Sequence, residues 1–332
     1  MRSLALAILV AAAFTGSLSD TSVGESLQNG QVQIVESPAI SRADSIAYLV
    51  QLYNAALEQK QAGLSGEAIA SFGRVAKLAE ALSAPQDFKA SVYAQQGYIE
   101  QIAGNSATAL RHFQRAYELD PQNPLFMNNL AYALAESDTS LGFAQQLART
   151  AVETEPTEER QETLDFVNYK ITLDRFVENA RSYLDVPYAY NGRYTENNPT
   201  IDCLGILFRA HEKTFGTNWR DFSVNPSRIV ELRQLGNPVK GLDGVFTGQV
   251  DRNLLQKGDI IYLLCTREIE DEPLAYLDGQ PYWPWHTGIY SDKKRNLFLE
   301  AQPGNVVLER DFGQVLKENT AIFVTRLPYS HK

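Results

Sequence analysis

Residues 43–156 repeat at a period of about 34 residues, which restricts the fold more than any other feature of the chain. Gly97, Ala109, Phe113, Ala116 and Pro121 mark one unit, and Leu130, Ala131, Ala144, Ala151 and Pro156 fall at matching places in the next. The offset from Gly97 to Ala131 is 34 residues; from Ala109 to Ala144 it is 35, one extra residue in the turn. An earlier, degenerate unit carries Ala68 and Phe72, followed by a longer linker containing Pro85. Each unit has the apolar spacing of a helix–turn–helix. One such unit cannot bury its apolar side alone and must stack on its neighbours. Small residues let paired helices approach closely, and aromatics fill the gaps between them. A helix over 158–171, with Phe166 and Tyr169 on its apolar side, is expected to cap the stack. Met127 and the tyrosine-rich helix faces read as core.

The pattern resembles tetratricopeptide repeats, roughly three units of them. The resemblance implies a stack with a concave surface. That surface either takes a protein or peptide partner or belongs to a rigid spacer for the second domain. The expected organisation is a signal peptide at 1–17, a flexible lead at 18–40, the helical repeat domain at 41–172 and a second domain at 173–332.

The 332 residues are 44% hydrophobic and 21% charged, enough to bury real cores. A net charge of -10 argues against nucleic acid, which needs a basic surface. Arg2 precedes an apolar run from Leu4 to Phe14 and a small-residue exit through Ser17, the layout of a secretory signal. That run is too short to span a bilayer, and no later stretch is long and apolar enough. The expectation is an exported protein, periplasmic or secreted, with no membrane span. The two cysteines, Cys203 and Cys265, make no disulfide framework and have no metal-ligand spacing to histidine. No metal and no cofactor is expected.

The back half carries the chemistry. Residues 191–200 are loop-like, and an apolar helical run begins at Cys203. A thiol in the first turn of a helix meets unpaired N–H groups and the positive end of the helix dipole, which favour a thiolate nucleophile. Four histidines are available as base. His331 lies near the chain end, His112 at an outward position of a repeat helix, and His211 about 12 Å along the axis from Cys203. His286 remains, opening the strand-like run His-Thr-Gly-Ile-Tyr. On the next strand Glu300, or Gln302 on the same face, would orient its imidazole. The alternative for the site is a buried structural Cys203 or a Cys203–Cys265 disulfide.

Several motifs in order resemble the NlpC-type papain-like cysteine peptidases of cell-wall metabolism. They are Pro187-Tyr188 with Tyr190 and Gly192; Asp202-Cys203 with Gly205; Lys257-Gly258-Asp259; and His286 with Gly288-Ile289-Tyr290. The resemblance covers residues 173–330. It implies an α+β papain-like domain in which a nucleophile-bearing helix packs on an antiparallel sheet, with strands over 260–264, 287–291, 297–301, 305–308 and 321–327. It makes Cys203 the nucleophile, His286 the general base and Glu300 the orienting residue. Tyr188, Tyr190, Asp202, Trp285 and Gln302 are the candidates for substrate contact. The implied reaction is cleavage of an amide in peptidoglycan stem peptides through a thioacyl intermediate. Leu204 stands in place of the usual serine, Asn191 in place of a glycine, and Glu300 where many relatives carry histidine. Extra sequence at 217–253 and 266–285 includes the acidic run 268–272 and the aromatics Tyr282, Trp283 and Trp285. These either wall the cleft or pack on themselves at a hairpin tip. An inactive envelope adaptor and an amidase or acyltransferase with a non-wall substrate are the alternative functions.

Overall fold

The computed structural model describes residues 24–28, 31–35, 42–268 and 272–329. The expected signal peptide therefore lies outside the described residues, as do His331 and residues 269–271 of the acidic run. The lead at 18–40, expected to be irregular, contains an antiparallel pair, β1 (Gly24–Gln28) and β2 (Gln31–Val35). Its signal was legible: Asn29-Gly30 between two short runs is a strong two-residue hairpin sequence.

The chain divides into two units, Met1–Val167 and Asn168–Lys332. In the first, the helices are α1 (Arg42–Gln61), α2 (Ser65–Ala81), α3 (Gln86–Ile102), α4 (Ser106–Leu119), α5 (Pro124–Glu136) and α6 (Leu141–Thr154). A seventh, α7 (Glu158–Arg181), begins in this unit and ends in the next. Successive helices pair as hairpins, as the repeat demands. Ala68, Phe72, Ala109, Phe113, Ala116, Leu130, Ala131, Ala144 and Ala151 are all buried. The need for a small residue at 97 is direct: a Cβ there would stand 2.7 Å from the Phe113 ring. Asn123 caps α5, accepting from Leu125 N at 3.1 Å, with Pro124 in the first turn where a missing N–H costs nothing. Met127 and Tyr53 are core as expected, but Tyr48, Tyr98 and Tyr132 are exposed, so the tyrosine faces are not uniformly interior. Tyr132 instead stacks on Phe166 with ring centroids 5.0 Å apart.

One expected break is absent. The helix expected over 158–171 does not stop there but runs on to Arg181 as α7, because Thr172, Leu173, Asp174 and Arg175 include neither Gly nor Pro to end it.

In the second unit a small antiparallel pair, β3 (Arg193–Thr195) and β4 (Asn198–Ile201), leads into α8 (Cys203–Phe215). A short α9 (Pro226–Glu231) follows, then the sheet strands β5 (Asn237–Phe246), β6 (Ile260–Cys265), β7 (Ala275–Leu277), β8 (Gln280–Asp292), β9 (Leu297–Ala301) and β10 (Val307–Asp311). Helix α10 (Phe312–Glu318) and strand β11 (Ala321–Arg326) complete it. The order is β10-β9-β8-β6-β11-β5, antiparallel throughout, with β7 paired to the far end of β8. The fold is thus a helical repeat region followed by an α+β domain with an antiparallel sheet.

Both sheet faces are covered, which explains why β6 reads Ile-Ile-Tyr-Leu-Leu-Cys without alternation. Ile260, Tyr262, Leu264, Ile289 and Leu299 share a core with Ile206 and Leu207 of α8 and with Phe176 and Val177 of α7. Ile261, Leu263, Tyr290 and Phe298 share the other with Phe312, Val315 and Leu316 of α10. Two sequence expectations change. The stretch at 217–253, read as inserted, supplies edge strand β5; Pro238, Gly241 and Gly244 hid it, and such residues belong at bulged edges. Strand β8 starts at Gln280 and not at 287, so Tyr282, Trp283 and Trp285 are strand residues, the first two of them buried.

Candidate functional site

The site grows from the start of α8. Asp202 is the N-cap: its Oδ1 accepts from Gly205 N at 2.6 Å. The same oxygen is paired with Arg193 Nη1, whose other contact is the Gly192 carbonyl at 2.8 Å. Asp202 is only 4% exposed, so it is not available as a substrate contact. Its carboxylate is consumed in fixing the helix start, and the partner cation, Arg193, was not foreseen. Gly205 is required there because a Cβ would meet the Gly192 carbonyl and, at 2.9 Å, Ile201.

Cys203 therefore occupies the first turn of a rigidly capped helix. It is a free, half-buried thiol, and so is Cys265 at the end of β6; no disulfide joins them. The Cys265 sulfur donates to the Arg267 carbonyl at 3.6 Å.

His286 comes from β8, where the pairing with β6 slips by one residue. Leu263 faces His286, but Leu264 faces Pro284, leaving Trp285 as the extra residue. Bulges of this kind re-aim side chains at functional sites. The Trp285 ring stacks on His286 at 5.3 Å, and its Nε1 donates to Asn319 Oδ1 at 3.2 Å. Trp285 is thus a partly exposed cover over the imidazole and not part of a separate hairpin tip.

The imidazole is buried between two partners. His286 Nε2 lies 2.6 Å from Glu300 Oε2. Cys203 lies close enough to act on the same imidazole, raising it. Burial alone would push the imidazole pKa down. The hydrogen bonds and charges of Cys203 and Glu300 outweigh it, and the group is pushed up to about 9. Burial likewise disfavours ionised Glu300, but His286 and Arg310 together hold its carboxyl below the ordinary glutamate range.

Glu300 is reached diagonally from both sides. It pairs directly with Gly288 on β8 and with Leu308 on β10, so His286 and Arg310 each stand two residues away on a flanking strand. Arg310 Nε donates to Glu300 Oε1 at 2.5 Å and Nη1 to Glu318 Oε2 at 2.7 Å. Gly288, opposite Glu300, leaves no room for a side chain; a Cβ there would lie 2.5 Å from the Leu299 carbonyl and from the Phe298 ring. Between the two polar candidates on and beyond β9, the partner of His286 is Glu300. Gln302 Oε1 instead accepts from Asn305 Nδ2 at 2.9 Å inside its own turn. Arg310 and Asn319 were not singled out from sequence; the register of β9 and β10 reveals the first, and the contact with Trp285 the second.

Of the other aromatic candidates, Tyr190 is 81% exposed and Tyr188 half-buried. Burial, with Cys203 and Asp202 beside it, raises the Tyr188 phenol. The remaining described histidines are engaged elsewhere. His211 Nδ1 lies 2.7 Å from Thr217 Oγ1, and burial pushes it down to about 4. His112, expected to face outward, is half-buried and stacks on Tyr93. Among the described residues no group of three His, Cys, Asp or Glu side chains is arranged to hold a metal, and no helix is long and apolar enough to cross a membrane.

No protein-family profile and no curated protein matches the chain. Among solved structures it is similar to the Yersinia enterocolitica type III secretion chaperone SycD in complex with a peptide of the translocator YopD. That similarity has 20% identity and a TM-score of 0.32, covering 38% of this chain and 95% of that one.

Proposed function

We propose that the protein is a cysteine hydrolase of the NlpC-like kind, exported and acting on an amide of peptidoglycan stem peptides. The observation that carries this reading is the placement of His286 between Cys203, at the capped start of α8, and the buried carboxylate of Glu300. An imidazole raised to about 9 holds its proton at neutral pH. That positive charge beside the Cys203 sulfur favours the thiolate as the attacking form. The Cys203 sulfur attacks the amide carbonyl, and the backbone N–H of Cys203 contributes to holding the oxyanion. The imidazolium gives its proton to the departing amine. Water, deprotonated by the now neutral His286, then cleaves the thioester and regenerates the thiolate. Tyr188, which feels the charge of Cys203, and the exposed Tyr190 form the substrate side.

The stem-peptide substrate rests on the motif resemblance, and an amide or ester outside the wall is the second reading the same chemistry allows. Digestion of purified muropeptides, read by mass spectrometry with Cys203→Ala as control, tests the first. Release of the expected fragments only by the wild type supports it. No cleavage of any wall fragment, with Cys203 still hyper-reactive, moves the assignment to the second reading. The helical repeats, with exposed Tyr98 on α3 and Tyr132 on α5, would take a protein or peptide partner.

A further inference from the structure

The buried site holds an unusual balance of charge. In the active form it contains two anions, the Cys203 thiolate and the Glu300 carboxylate, but one imidazolium between them. Two anions sharing one cation in a desolvated place compete for it, and the weaker acid takes up a proton. A neutral orienting residue would avoid that conflict; a glutamate creates it. We propose that Arg310 is a positioning residue that resolves the conflict by neutralising Glu300, so that the imidazolium charge of His286 is left to the Cys203 sulfur.

The geometry fits this division. The two oxygens of Glu300 are each used once, Oε2 toward His286 and Oε1 toward Arg310. Arg310 reaches Glu300 from β10, so it acts through Glu300. The charged and titratable groups around the network can be named. His286 and Arg310 face Glu300; Glu318 on α10 faces Arg310 from the other side. Tyr188 and Asp202 neighbour Cys203, and Asp202 is already neutralised by Arg193. Glu300 is therefore the anion in direct competition for the imidazolium, and Arg310 is the cation bound to it.

This proposal rests on the reading of Cys203 and His286 as an ion pair, and the test separates the two. Iodoacetamide labelling of Cys203 is followed across about pH 5 to 10 in the full chain, with Cys265→Ser removing the second thiol. In the parent the labelling rate should be high well below the range of a free thiol. In Arg310→Gln the midpoint should move upward by about one pH unit, a roughly tenfold loss of rate on the acid side. Arg310→Lys should keep the parent profile, and Glu300→Gln combined with Arg310→Gln should bring it back toward the parent. A purely structural arginine would lower the melting temperature and leave the midpoint unmoved, and that result overturns the proposal. A parent thiol that labels like free cysteine removes the underlying pair and the proposal with it. Should Arg310→Gln fail to fold, Arg310→Lys carries the test alone: a shifted profile there also overturns the assignment.

Discussion

Gly97 in the repeats and Gly205 and Gly288 in the sheet unit all stand where a side chain would collide, but the obstacles differ. At 97 the obstacle is a side chain, the ring of Phe113. At 205 it is chiefly the Gly192 carbonyl, and at 288 the Leu299 carbonyl together with the Phe298 ring. A ring can be replaced by something smaller, whereas a backbone carbonyl in a capped loop or a sheet cannot be removed. The repeats are thus held by exchangeable packing, copied from unit to unit. The site is held by single positions with no second copy. A sequence broadcasts the first arrangement as a period and conceals the second.

The largest expected effect belongs to the unique position. Cys203→Ala should reduce amide hydrolysis by at least about a thousandfold, measured on muropeptides or a model amide, while leaving the melting temperature close to the parent. Residual hydrolysis within tenfold of the parent would end the nucleophile assignment. In the repeats the matching loss is energetic. Phe113→Ala removes a fully enclosed ring and should cost about 3–5 kcal/mol, read by urea unfolding; a cost below about 1 kcal/mol would mean the unit can collapse around the vacancy.

Next come the glycines, where the comparison itself is at stake. Gly97→Ala and Gly205→Ala should each destabilise by about 1–3 kcal/mol, the ordinary cost of overpacking. Adding Phe113→Leu to Gly97→Ala should recover part of the loss, because the colliding atoms belong to a side chain. No neighbouring substitution should rescue Gly205→Ala, and it should also slow Cys203 labelling by displacing the start of α8. Rescue in both places would erase the distinction.

That distinction also sets what sequence reading reaches. The repeat helices, the central strands β6 and β9, and the candidates Cys203 and His286 follow from spacing, motif order and elimination among four histidines; the third group stayed open between Glu300 and Gln302 until the contact with His286 was seen. Asp202 was misread because a capping carboxylate and a substrate-binding one look alike until the partner, Arg193, is seen to be buried against it. Arg310 was missed because its relation to Glu300 exists only in the register of β9 and β10. The slip that places His286 lies inside a Trp-Pro-Trp run that does not look like a strand at all. The unbroken α7 is a different error, a boundary supposed where no breaker stands.

The smallest effect is on stability as a function of pH, and it separates the two units again. His286 is raised from 6.5 to about 9 in the folded chain, so its contribution is fully present below about pH 6.5 and is lost as the pH rises through 9. Glu300 is lowered from 4.5, so its contribution is present above about pH 4.5 and is lost as the pH falls below that value. The sheet unit should therefore be most stable between those limits and weaken on either side. The same window should narrow on its alkaline side in Cys203→Ser, because the sulfur is the largest influence raising the imidazole against its burial. The repeats hold no such pair: the one described histidine there, His112, is lowered by burial and stacked on Tyr93. Thermal melting of the parent and of Cys203→Ser, stepped from acid to alkaline pH, reads the difference. An alkaline limb unchanged by the serine would show that Glu300 alone holds the proton on His286, and that the sulfur is not its partner at rest.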